Sequence, residues 1–284
     1  MHVPVLLQEV IGGLALRAGI TVLDGTINGA GHSLEISRRI PGGCLIGLDR
    51  DSTILAKARE RLQNASCRVI LEQGNFRHLD QILNARQIIS LDRCLFDLGV
   101  SSEQLAASGR GFSFLIDEPL IMSYEVEPVT VTARTIVNES AAANLELMLK
   151  EYGEEPFAVR IAQAIVEARK KKKIETTKEL VAIIQEAVPR WYRSPRRRKH
   201  FATQTFQALR IAVNDEFRAL AEGLNLAWHY LAPGGRLAVI SFHSGEARIV
   251  KKIFPGHRKI KPTWAEIKNN PRARSAVLRL VQKS

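Results

Sequence analysis

Three aspartates close three apolar runs. Asp24 ends Ile20-Thr21-Val22-Leu23, Asp49 ends "CLIGLD", and Asp97 ends "LDRCLFD". A carboxylate at the end of a buried strand can accept hydrogen bonds from the hydroxyls or amines of a ligand. Asp24 also opens "DGTINGAGHS" (24–33), a turn of small residues before the helix-like run Leu34–Ile40. Gly29, Ala30 and Gly31 let the backbone approach a ligand closely. The turn has no G-x-G-x-x-G and no phosphate-loop lysine, and His32 and Ser33 stand where the helix starts. Pyrophosphate favours three glycines and an open helix N-terminus. A ligand without phosphate, such as a methionine moiety, therefore suits this turn better. An ordinary strand-to-helix loop is the plain alternative.

Asp49 can hold both hydroxyls of an adenosine ribose, in a nicotinamide cofactor or in S-adenosylmethionine alike. It can equally cap the helix entered at Ser52-Thr53-Ile54, and the two roles are compatible. Asp97, followed by Leu98-Gly99-Val100-Ser101-Ser102, has the sharper chemistry. An exocyclic amine such as that of cytosine is a weak nucleophile, because its lone pair is delocalised into the ring. A carboxylate accepting its N–H restores nucleophilicity and aligns it with a methyl donor. A second cofactor-binding carboxylate is the other role open to Asp97. His243, in Ser241-Phe242-His243-Ser244, reads as a substrate contact, a proton carrier or a structural histidine. His32 reads as a contact or as a residue that shapes the turn. No Ser/His/Asp set has nucleophile-elbow spacing, so hydrolysis has no support.

The elements that must position these residues alternate. Apolar runs near 20–24, 43–48, 67–71, 91–97 and 236–241 read as strands. Helix-period segments separate the early ones, as in Thr53–Leu62 with Ile54, Leu55, Ala58 and Leu62 on one face. This rhythm predicts an α/β chain with a doubly wound, Rossmann-like parallel sheet. Ala232-Pro233-Gly234-Gly235 reads as the turn before the last strand. From Val131 to Val188 the sequence is helical instead, in "AAANLELMLKEYG", "RIAQAIVEARK" and "TTKELVAIIQEAV". Thr176 and Glu179 resemble a helix cap with its first-turn acid. An all-helical block in an α/β frame predicts an inserted domain at 106–205, with 1–105 and 206–284 forming the sheet domain.

The chain has 284 residues, is 45% hydrophobic and carries a net charge of +12. A core can be buried, and a polyanionic partner is favoured, nucleic acid before membrane. Cys44, Cys67 and Cys94 include no C-x-x-C pair, so neither a disulfide framework nor a zinc site is supported, and no metal is expected. Each cysteine reads as a small buried hydrophobe. No apolar run reaches the ~18 residues of a membrane helix, and the first residues carry no signal-peptide pattern. A cytoplasmic enzyme is the expectation. Two basic clusters lie in the helical block. Arg169–Lys173 reads equally as a solvated run or a contact surface. Arg190–Lys199 interleaves Trp191 and Tyr192 with Arg196 and Arg197, which suits phosphate contact with base stacking.

Together these segments resemble the ribosomal RNA small-subunit methyltransferase H family. The matching stretches include "HVPVLLQEV" (2–10), "DGTINGAGHS" (24–33), "IGLDRD" (46–51), "GNF" (74–76), "DLGVSSEQL" (97–105) and "RGFSF" (110–114). They continue through "YGEEPFAVRIAQAIVEAR" (152–169), "TFQALRIAVNDE" (205–216), "LAPGGRLAVISFHS" (231–244) and "NPRARSAVLR" (270–279). The resemblance implies a class I S-adenosylmethionine-dependent methyltransferase fold with a helical insertion. It implies methylation of a cytidine N4 amine in the decoding centre (P site) of 16S rRNA within the small ribosomal subunit. It further implies cofactor contacts from Ala30, Gly31, His32, Asp49, Phe76, Asp97 and Gln104, with Phe76 near the adenine and Gln104 at the amino-acid end. From the chemistry read above, Asp97 is the expected catalytic residue, and Trp191, Tyr192, Arg196, Arg197 and His243 are the expected substrate contacts.

Three stretches depart from the family pattern. The turn F-G-x-G-G-H is here Ile27-Asn28-Gly29-Ala30-Gly31-His32. The run D-G-P-L-D-M-R-M-D is here Asp117–Glu125, without one Asp, the Arg and the final Asp. "SFHSLEDR" is here Ser241–Arg248, as "SFHSGEAR". An RNA-binding assembly factor that has lost catalysis is thus the alternative function, and a nicotinamide-dependent dehydrogenase on a similar sheet is a third.

Overall fold

The computed structural model describes residues 4–106, 108–125, 131–194, 196 and 199–284. Two compact units emerge. One is 1–101 with 217–284, and the other is 102–216.

The first unit is built on seven strands: β1 (Thr21–Asp24), β2 (Cys44–Asp49), β3 (Arg68–Gln73), β4 (Leu91–Asp97), β5 (Leu231–Ser241), β6 (Arg258–Ile260) and β7 (Val277–Gln282). Their order is β3-β2-β1-β4-β5-β7-β6. The first five are parallel, and β7 runs antiparallel between β5 and β6. Alternate residues of each strand face opposite ways, and both faces are apolar. Val22, Leu45, Leu95 and Ile240 join one buried cluster. Leu23, Ile46, Phe96 and Val239 join the other. A sheet buried on both faces must be covered on both by helices, which is the doubly wound arrangement the alternation predicts. The early helices are α1 (Leu7–Leu14), α2 (Gly31–Arg39), α3 (Ser52–Arg61) and α4 (Leu79–Ala85).

Three details differ from the sequence reading. The "APGG" turn lies inside β5: Leu231 pairs with Leu91, and the register then shifts so that Arg236 pairs with Arg93. Residues 232–235 are an excursion from the ladder, with Gly234 at φ 72°. β6 and β7 were not anticipated. β6 has three residues and no apolar run, and β7 carries a buried arginine, Arg279, at a core position. Cys94 is buried as expected, whereas Cys44 and Cys67 are only half-buried.

The second unit is helical: α5 (Ser102–Leu105), α6 (Ala133–Glu139), α7 (Ala142–Gly153), α8 (Ala158–Lys171), α9 (Thr177–Ala187) and α10 (Thr203–Asn214). It spans 102–216 rather than 106–205, and its C-terminal edge extends because α10 packs on α7. Gly153 permits that approach: a Cβ there would sit 2.6 Å from the Gln204 carbonyl. Thr176 caps α9 and Glu179 closes a capping box, as the sequence suggests. The Asp117–Glu125 run is built into this unit. Buried Glu118 accepts the N–H groups of Gly109 (2.9 Å) and Gly111 (2.8 Å). The Tyr124 N–H donates to Asn214 Oδ1 at 2.9 Å. The chain then returns to the first unit through α11 (Glu216–Tyr230), α12 (Ser244–Ile253) and α13 (Trp264–Asn269). No described helix is long and apolar enough to cross a membrane.

Candidate active site

Strand order reverses between β1 and β4: the chain goes from β1 to β2 and β3 on one side, and from β4 to β5 on the other. Loops at the carboxyl ends of such neighbours part and leave a crevice. Asp24 and Asp97 end these two strands, and Asp49 ends β2, next to β1.

The turn after β1 ties the three together. Asn28 N–H donates to Asp49 Oδ2 at 3.2 Å, and its side-chain Nδ2 donates to the Asp97 carbonyl at 3.2 Å. Thr26 Oγ1 accepts the Asp97 N–H at 2.6 Å. Ser33 Oγ donates to Asp24 Oδ2 at 2.6 Å. Asn28 and Ala30 stand where the family turn has glycines, and both adopt left-handed backbone, at φ 47° and 56°. Asparagine tolerates this region, and alanine does so at a cost of about 1–2 kcal/mol. Gly31 starts α2 against Pro4, where a Cβ would sit 3.2 Å from the proline ring.

Asp49 is not the cap of α3. That role belongs to Asp51, which is fully buried and accepts Thr53 N–H (3.0 Å) and Oγ1–H (2.6 Å). Asp49 instead accepts the N–H groups of Asp51 and Asn28. Burial pushes its carboxyl up to about 7 against those two bonds. Burial likewise raises Asp24 to about 6, with Ser33 opposing. After β3, the Gly74 N–H donates to the Asp49 carbonyl at 2.9 Å, which brings the half-buried Phe76 to the same strand ends. Its ring meets Phe96 edge-on, with centroids 5.5 Å apart, and Gly223 leaves room for it.

Asp97 is 7% exposed. Its Oδ2 lies 3.5 Å from His32 Nδ1, and its buried Oδ1 has no hydrogen-bond partner among the described residues. Burial raises its carboxyl to about 7, Arg272 opposes, and Glu246 adds to the rise. His32 is buried, with Nε2 2.9 Å from the Val5 carbonyl. Burial lowers its basicity, opposed chiefly by Asp24. At the end of β5, Glu246 Oε2 accepts the Phe242 (2.7 Å) and His243 (3.3 Å) N–H groups, and Oε1 lies 3.2 Å from His243 Nε2.

The structure thus brings Ala30, Gly31, His32, Asp49 and Asp97 to adjoining strand ends, with Phe76 and His243 on loops at the same edge. Gln104 lies in α5 of the helical unit and is buried there. Trp191 is 65% exposed, and Arg196 is exposed beyond it. Tyr192 corrects the sequence reading. It is 2% exposed, its hydroxyl donates to Glu155 Oε1 at 3.0 Å, and its ring is packed on Phe157, so it is a core residue rather than a stacking surface. Arg197 lies outside the described residues. In the first basic cluster, Arg169 donates to the Val137 carbonyl, and Lys170 and Lys172 pair with Glu167 and Glu179. Thr26, Glu246 and Arg272 were missed. Glu246 had a signal, an acid three residues after a polar helix start. Thr26 and Arg272 act at long range and had none.

Comparison with known proteins identifies the family. The family described as the MraW methylase family matches residues 1–259. The ribosomal RNA small subunit methyltransferase H of Symbiobacterium thermophilum is 45% identical, covering 99% of this chain and 96% of that protein. Its namesakes in Persephonella marina and Dictyoglomus thermophilum are each 44% identical, over 99% of this chain and 99% and 96% of theirs. The nicotinamide reading is therefore set aside, and the sheet is that of a class I methyltransferase. With Asp24 and Asp97 at the switch point of its seven-stranded sheet and Asp49 on the next strand, and matched along nearly its whole length, the chain belongs to the MraW methylase family, that of the ribosomal RNA small subunit methyltransferase H proteins.

Proposed function

We propose that the protein transfers a methyl group from S-adenosylmethionine to the N4 amine of a cytidine in the decoding centre of 16S rRNA, within the small ribosomal subunit. The observation that carries this reading is Asp97: a buried carboxylate at the switch point whose Oδ1 has no partner among the described residues. A buried acceptor without a donor costs free energy unless a ligand's N–H meets it. The three relatives are named as methyltransferases of small-subunit ribosomal RNA.

The residues fit the cofactor. Asp49 is released from capping by Asp51 and offers its carboxylate to ribose hydroxyls. Ala30, Gly31 and His32 offer a close backbone for the methionine end. Phe76 offers a half-exposed ring to the adenine, and Gln104 is the expected contact at the amino-acid end. When bound, S-adenosylmethionine supplies a methyl group already activated by a cationic sulfur. Asp97 then orients the target amine through its N–H and draws electron density onto nitrogen as the bond forms. The reaction is an in-line displacement without a covalent enzyme intermediate.

RNA as the substrate is supported by exposed aromatic residues set among cations on each unit. On the helical unit these are Trp191 with Arg190, Arg193 and Arg196. On the sheet unit Trp264 is 76% exposed, with Lys268 5.4 Å over its ring and Lys259 and Lys261 exposed nearby. Such pairs suit base stacking with phosphate contact. Asp97→Ala, folded as judged by its melting transition, should lose N4-methylcytidine formation by at least ~100-fold. Turnover within a few-fold of the parent would reject Asp97 as the amine acceptor.

A further inference from the structure

We infer that His32 is a positioning residue for proton removal: its Nδ1 faces Asp97 as a bare lone pair and leaves Asp97 to act as the base that receives the proton lost by the methylated amine. This rests on the amine-methylation reading above.

The Val5 carbonyl can only accept, so His32 Nε2, 2.9 Å away, carries the ring proton. In the neutral ring the other nitrogen then has none. Burial favours that neutral ring. Nδ1 therefore gives no hydrogen to Asp97 Oδ2, 3.5 Å away. Asp97 Oδ1 has no donor either among the described residues. Meanwhile Thr26 and Asn28 hold the Asp97 backbone on both sides. A carboxylate fixed in place, with no donor to its buried Oδ1 among the described residues and a bare imidazole nitrogen facing its Oδ2, has a high affinity for a proton.

Transfer forms the N–CH3 bond and breaks the S–CH3 bond, whose electron pair goes to sulfur. The nitrogen becomes cationic. It recovers its lone pair by giving a proton to Asp97 Oδ1, and the carboxylate becomes a neutral carboxylic acid. The turn thus holds the cofactor with its backbone and governs the base with a side chain. Other charged groups bear on the pair. Asp24 on β1 and Glu266 on α13 favour a charged His32, Arg272 favours ionised Asp97, and Glu246 on α12 disfavours it.

Two substitutions separate this role from a structural one. His32→Gln can keep a donor near the Val5 carbonyl while removing Nδ1. His32→Asn places an amide near the Nδ1 position, where its N–H can donate to Asp97. The readout is kcat against pH for N4-methylcytidine formation, with cofactor Kd measured in parallel. His32→Asn should move the acid limb down by about one pH unit and lower kcat by about 3- to 10-fold, with Kd changed less than about threefold. His32→Gln should leave the limb near its parental position. An unmoved limb in His32→Asn, with only Kd or KM changed, would reduce His32 to shaping the turn. Should both variants fail to fold, nitrogen NMR of the unmodified protein decides: His32 neutral at pH 7.5 with its proton on Nε2 supports the inference, and a protonated Nδ1 overturns it. Absence of N4-methylcytidine from the parent enzyme would instead reject the underlying reading, and the NMR result would still report on His32.

Discussion

Asn28 stands in a glycine's place and keeps a glycine's backbone, at φ 47°. It then adds what glycine lacks, a side-chain bond to the Asp97 carbonyl. The two singly substituted forms should therefore differ. Asn28→Gly keeps the backbone and loses the bond, whereas Asn28→Ala loses the bond and strains the backbone. We expect Asn28→Ala to be the less stable by about 1 kcal/mol in urea unfolding. Equal stabilities would mean that the left-handed turn is not held in solution. At Ala30, relief of a similar strain by glycine is offset by loss of one buried methyl, worth about 0.8 kcal/mol. A near-neutral exchange explains how alanine is accommodated there. The raised carboxyl of Asp97 also sets a pH dependence. On the proposed role the ionised form accepts the amine, so kcat should rise with pH through about 7 and level above it. A flat profile from pH 5.5 to 8 would show that this ionisation does not limit turnover. The three acids were legible in sequence because each ends an apolar run. Their supporting partners were not: Thr26 meets Asp97 across 71 positions, and no local period reports such a pairing.

At the scale of elements, helices with complete local signals were readable to within a residue or two. Thr176 and Glu179 fix the start of α9 through short-range bonds, and Thr176→Ala should cost about 1 kcal/mol of stability. A loss below about 0.3 kcal/mol would show the cap to be dispensable. β7 was hidden for the opposite reason. Arg279 interrupts its apolar pattern, yet is buried against Ser241, donating to its hydroxyl at 2.6 Å. Tyr192 was misread because an aromatic beside arginines looks exposed in sequence, whereas Glu155 and Phe157, far along the chain, enclose it. The altered Asp117–Glu125 run has become a packed part of the helical unit through Glu118 and Tyr124.

At the scale of the whole molecule, the alternation of strands and helices made the fold class readable, because a sheet covered on both faces leaves continuous apolar runs. Asp24, Asp49 and Asp97 carry a molecular consequence. Their ordinary value is 3.8, and the folded values are about 6, 7 and 7. Between about pH 4 and 7 the folded chain holds protons that the unfolded chain has released. These acids therefore stabilise the fold less as pH rises through that window. The ligand-free protein should lose less melting temperature between pH 5 and 7.5 as Asp49→Asn than as the parent; an equal loss would contradict the raised value. The net charge of +12 predicts small-subunit binding that weakens steeply with salt, with Lys259→Glu and Lys261→Glu lowering the slope. The most direct test of the central claim supplies methyl-labelled S-adenosylmethionine and small ribosomal subunits that lack the modification, followed by digestion and nucleoside mass spectrometry. The expected product is labelled N4-methylcytidine from 16S rRNA, absent with Asp97→Ala. Label on another atom, or none while a related active enzyme labels the same subunits, would contradict it.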